Sequence, residues 1–223
     1  MRFPNAYNGV KKIFSAEILH LVAVILMAVG LVTAVIAGVV GTAVGDAAEL
    51  TEGEFVVTVG GIIGAVSILA VGGILALIAF ILQIVGVGQA MKDESYFKTA
   101  FIFIFVGIAC TVLSCIPDTV LTDFFISLFR TLGQISQLLV TIYIIGGIQR
   151  LASKMGNIDL ERKGSTIFTL ITIFYCVAII VCIVSLFATL LAEIFAICAL
   201  VIDLVTYIIF LSYLAQAKKM LAE

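Results

Sequence analysis

The chain has 223 residues, 63% of them hydrophobic and 12% charged, with a mean hydropathy of +1.32. A soluble domain carries about 25% charged and 45–50% apolar residues, so a water-soluble fold is excluded: its surface could not be covered. The net charge is −2 and no basic patch stands out, which sets nucleic-acid binding aside.

A helix rises 1.5 Å per residue, and a bilayer core of about 30 Å takes about 20 residues. On that ruler the chain reads as all-α: one domain over 1–223, a polytopic membrane bundle of six transmembrane helices. Arg2, Lys11 and Lys12 precede a first apolar run from Phe14 to Ala43. The stretch from Ile18 to Gly45 is about twice the length of a signal h-region, so it is expected to stay as the first span. The acidic segment Asp46, Glu49, Glu52 and Glu54 comes next. The run Phe55 to Ala90 is too long for one simple pass: either it breaks or bends at Gly60-Gly61 and Gly72-Gly73, or it extends beyond the membrane. The second span is set near Val66 to Gly88.

Charges return at Lys92, Asp93, Glu94 and Lys98. The third span runs from about Thr99 to Ile116 and ends at Pro117-Asp118, because proline cannot continue a helix and suits a turn. The fourth span runs from about Leu121 to Ile148, followed by a charged loop from Arg150 to Lys163. The apolar run from Thr166 to Ala217, interrupted only by Glu193 and Asp203, is long enough to cross twice, with its turn expected near Leu190 to Glu193. The spans pair as three hairpins, about 11–92, 97–155 and 163–219.

Cytoplasmic loops carry an excess of Lys and Arg. In the six-span arrangement Arg2, Lys11, Lys12, Lys92, Lys98, Arg150, Lys154, Arg162, Lys163, Lys218 and Lys219 share one side with both termini. The opposite side holds Asp46, Glu49, Glu52, Glu54 and Asp118, and Arg130 falls inside a span. Both termini are therefore expected in the cytoplasm. In type, though not in any motif, the chain resembles the small multi-pass proteins of bacterial inner membranes.

The hairpins look alike at their inner ends, where small or apolar residues lead to Gln89, Gln149 and Gln216 and then to Lys92, Lys154 and Lys218-Lys219. Duplication explains this, and so does shared interface chemistry. Parallel repeats of this kind occur in transporters. With Trp absent, Tyr7, Tyr96, Tyr143 and Tyr213 are the residues available for an aromatic belt.

Ionisable groups inside a span cost about 2.5–3.5 kcal/mol at its centre on insertion scales and mark function by default. Arg130 belongs to a stripe with Asp123, Ser127, Gln134, Gln137 and Thr141, whose spacing keeps all six on one helix face. Asp203 lies at a depth in span six matching that of Arg130, so the two are expected to pair if spans four and six touch. Glu17 and His20 form a weaker site at the inner end of span one, since histidine titrates near neutral pH. Ser165, Thr169, Thr172 and Cys176 follow helical spacing in span five, where Ser and Thr commonly bond back to their own helix. Gly30, Ala34 and Gly38, then Ala37, Gly41 and Gly45, and in span two Gly60 and Gly64, have the spacing that lets membrane helices pack closely.

Cys110, Cys115, Cys176, Cys182 and Cys198 all lie in apolar runs, without a CxxC and with a single histidine. That set does not fit zinc, and the thiols read as small hydrophobes. No phosphate-binding loop, HExxH or GxSxG is present. No catalytic residue, metal or cofactor is therefore expected, and the chain is not expected to be an enzyme. The favoured reading is a structural, regulatory or accessory membrane component that packs against a membrane-protein partner or itself as a homo-oligomer within the lipid bilayer. The alternative is a small-solute or ion transporter or channel using the polar face of span four (Arg130, Gln134, Gln137, Thr141) and Asp203.

Overall fold

The computed structural model describes residues 2–45, 52–116, 123–185 and 189–222 and, within them, the side chains other than those of 38, 40–45, 52–59, 123, 174–185 and 189–203. Among these residues the fold is all-helical: α1 (Pro4–Gly45), α2 (Glu52–Ala90), α3 (Ser95–Ser114), α4 (Asp123–Lys154), α5 (Ile158–Ser185) and α6 (Thr189–Ala222). Among the described residues, four segments are long and apolar enough to cross a membrane: Pro4–Ala37, Gly60–Ala90, Ser95–Ser114 and Phe124–Lys154. Their outer faces expose large aliphatic side chains such as Leu31, Ile63, Ile74 and Val112. Such helices mark an integral membrane protein, in which lipid takes the place of a covering layer.

Of the alternatives for the 55–90 run, one long helix is found: α2 has 39 residues and passes through both glycine pairs. Membrane helices tolerate glycine, since neighbouring helices support the backbone. The turn expected at Leu190 to Glu193 is not there: α6 has already begun at Thr189. Glutamate is a good helix former, so a charge in an apolar run need not mark its break. The charged loop expected from Arg150 to Lys163 is mostly helix. α4 continues to Lys154 and α5 starts at Ile158. Of the acidic segment, Asp46 and Glu49 lie outside the described residues, as do Pro117 and Asp118, whereas Glu52 and Glu54 belong to the first turn of α2.

The turn between α4 and α5 is built from its sequence. Gly156 has φ +73°, the left-handed region that glycine enters without cost. The Asn157 amide donates to Ala152 O at 2.9 Å and the Gly156 amide to Ser153 O at 3.0 Å, the paired bonds of a glycine-ended helix. Asn157 Oδ1 then accepts from the Leu160 amide at 3.0 Å and caps α5. Two helices thus reverse in three residues, and their charged ends stay helical.

The chain forms two compact units, residues 15–83 and residues 1–14 with 84–223. In the first, segments of α1 and α2 run antiparallel along a seam of small residues. Ala16, Ala23, Gly30 and Ala37 recur every seven residues on α1, and Ala65, Gly72 and Ala79 do so on α2; all are buried. A Cβ on Gly72 would lie 2.8 Å from Met27 Cγ, and one on Gly30 3.0 Å from Leu69 Cγ. A seven-residue repeat is the period of left-handed helix pairs, and small residues let the backbones approach. Among the described residues nothing lies within 4 Å of a Cβ on the expected Gly60 or Gly64. Gly61, one residue on, meets Ala37 instead.

In the second unit α4 packs against α3 and α5, and α5 against α6. Its largest fully buried side chains include Phe97, Ile144, Ile148, Leu151, Tyr213 and Leu214. They gather towards the helix ends that carry the basic residues. Phe97 lies under Gly147, where a Cβ would come within 2.7 Å of its ring. Tyr213, expected in an aromatic belt, is a core residue, with its hydroxyl against Gly164 and 3.5 Å from Ile145 O.

Candidate functional site

The second unit concentrates its polar contacts where α2 gives way to α3, around Met91–Glu94. Glu94 caps α3: its backbone is extended, and its carboxylate accepts from the Ser95 amide at 3.1 Å. The same carboxylate accepts from the Lys154 ammonium at 2.5 Å. Burial of Glu94 works against its charge. The Lys154 hydrogen bond and charge, then Ser95 and Arg150, outweigh burial and hold the carboxyl below its usual range.

Asp93, beside it, reaches back to the N-terminal helix. Its Oδ2 accepts from the Ala6 amide at 2.7 Å, and its Oδ1 accepts from Asn5 Nδ2 at 2.9 Å. The first amides of a helix have no partner within it. Asp93 therefore caps α1 from 87 residues away, and its negative charge suits that end of the helix dipole. Pro4 opens α1, at a position where its missing N–H costs nothing. Arg2 Nη1 donates to Lys154 O at 3.3 Å, which brings the N-terminus to the end of α4 as well.

Next to this network is an open groove of about 730 Å³ between α3, α4 and α5. Tyr96 forms one wall, Gln149, Arg150 and Ser153 the floor, and Glu161 and Arg162 the other wall. The Arg150 guanidinium lies over the Tyr96 ring at 4.6 Å from its centroid, a cation–π contact. Tyr96 is 6.0 Å from Tyr143, and Tyr143 stacks on Phe103 at 5.6 Å, so an aromatic ladder leads from the groove along α3 and α4. No family model matches the chain, and neither a curated protein nor a solved structure is similar to it.

The residues singled out from the sequence lie elsewhere. Arg130, Gln134 and Gln137 are exposed on α4, and Thr141 is half-buried and donates to Gln137 O at 3.3 Å. Among the described residues the Arg130 guanidinium has no hydrogen-bond or ion-pair partner. The side chains of Asp203 and Asp123 lie outside the described residues, so the expected Arg130–Asp203 pair does too. On α1, Glu17 is half-buried and His20 exposed. Thr169 and Thr172 bond back to Ser165 O and Phe168 O in their own helix. Cys110 is buried and Cys115 exposed.

Sequence reading passed over Asp93, Glu94 and Lys154 because each sits in a charged stretch, where solvated side chains are the ordinary outcome. The signal for a cap was present, since Glu94-Ser95 directly precedes an apolar helix. Nothing local links Asp93 to Ala6 or Glu94 to Lys154.

Proposed function

We propose that the protein is a small structural, regulatory or accessory membrane component that works by packing against a membrane-protein partner or a second copy of itself. It crosses a bacterial inner membrane six times, with both termini in the cytoplasm. The observation that carries this reading is the exposed polar face of α4: Arg130, Gln134 and Gln137 lie within a helix apolar enough to span. Hydrocarbon offers such groups no hydrogen bonds, so the face requires a protein neighbour or water. The segregation of basic residues supports the topology, and the similar ends of the three hairpins fit a threefold internal repeat.

The same face supports a second reading, a small-solute or ion transporter or channel, with Arg130, Gln134, Gln137, Thr141 and Asp203 along a wet path. Single cysteines at 134, 137 and 141 in a cysteine-free background, probed in intact membranes with a small impermeant thiol reagent, separate the two. A packed seam predicts no labelling in a folded protein, and disulfide cross-links to a neighbouring chain. Rapid labelling at all three positions would overturn the packing reading in favour of transport.

A further inference from the structure

We infer that the groove between α3, α4 and α5 is a binding site for the headgroup of an anionic phospholipid, a phosphodiester carrying hydroxyls. Its position comes first. Arg150 follows directly on the apolar run of α4 that ends near Ile148, so the groove opens at the depth where a bilayer places its headgroups. Basic pockets between membrane helices suit such headgroups.

The donors are arranged for phosphate. The Arg150 guanidinium is held over the Tyr96 ring, 4.6 Å from its centroid, and its N–H groups suit phosphate oxygens. Arg162, on the facing wall, is exposed and has no ion-pair partner among the described residues. Glu161 is the one acid in the lining. The two arginines outweigh it, so an anion is favoured, and its carboxylate is placed to accept from a headgroup hydroxyl.

One apolar feature favours an amphiphile over a free anion. From Tyr96 the stacked rings of Tyr143 and Phe103 continue along the helices and would flank the upper part of a lipid.

Native mass spectrometry of the full chain released from detergent, titrated with phosphatidylglycerol and with phosphatidylcholine, tests the site. Phosphatidylglycerol should bind at least tenfold more tightly, and Arg162→Gln, at an exposed position, should remove most of that preference. Lys98→Gln, a cation of the same region outside the groove, should not. Millimolar glycerol phosphate should compete poorly. Equal loss for Lys98→Gln and Arg162→Gln would mean a diffuse surface charge and would overturn the site. Full competition by glycerol phosphate would overturn the lipid in favour of a soluble phosphate ester.

Discussion

The Lys154 ammonium lies 2.5 Å from the Glu94 carboxylate, whose side chain is only 2% exposed while that of Lys154 is 48% exposed. The buried partner depends on the wet one. Replacing Lys154 by methionine leaves a carboxylate with little water and a weakened set of positive neighbours. We expect a loss of about 1–3 kcal/mol at neutral pH, within the range for a buried group stripped of its partner.

The pair also sets a pH dependence. The folded Glu94 titrates below its ordinary value of 4.5. Its contribution is therefore complete above that value and is lost as pH falls through the lower folded value. In Lys154→Met, burial is left with less opposition. The folded value should then rise, and the variant should lose less stability on acidification than the parent. Thermal unfolding in detergent between pH 3 and pH 7 reads this; parallel curves for the two proteins would refute it.

Asp93→Ala removes the acceptor for the Ala6 amide and for Asn5. The first turn of α1 should fray, at a cost of about 1–2 kcal/mol, similar to loss of a helix cap. Hydrogen exchange should accelerate at residues 5–8 and stay unchanged in α4. Unaltered protection at those amides would show that the cap is dispensable.

The close approach of α1 and α2 gives a graded test. A Cβ on Gly9 would lie 2.5 Å from Gly86 O and 2.7 Å from the Ala90 amide nitrogen, both backbone atoms that cannot swing aside. Gly9→Ala should cost about 1–3 kcal/mol, the range for overpacking. Gly73→Ala meets nothing within 4 Å and should change stability by less than about 0.5 kcal/mol. Equal effects from the two variants would contradict the seam.

Arg130 and Asp203 call for a double-mutant cycle. If they pair, either single replacement by an apolar residue should cost more than both together, because each alone strands a charge in the bilayer. Additive losses would dismiss the pair.

Helix existence was legible in the sequence because apolar run length is a direct measure of a bilayer crossing. Boundaries were less so. Charge at Arg150–Lys163 reads as loop, yet Gly156-Asn157 fixes a turn there and lets both helices run on. Small residues at four-residue spacing pointed to Gly60 and Gly64. The seam instead follows a seven-residue repeat through Ala65, Gly72 and Ala79, a longer period that short windows do not reveal. The groove was not legible at all. It needs Tyr96, Arg150 and Arg162 from three helices, and each alone looks like an ordinary interfacial residue.

The contacts of Asp93 bear on how the chain is made. Ala6 and Asp93 are 87 positions apart, and Glu94 and Lys154 are 60 apart. At about 5–20 residues per second on the ribosome, the N-terminal turn waits several seconds for its acceptor, and Glu94 waits several more for its cation. During synthesis the first turn of α1 and the cap of α3 thus each stay incomplete until a later part of the chain has been made. A chain stalled midway would be marked by that unfinished end, giving membrane proteases a chemical basis for telling it from a finished protein.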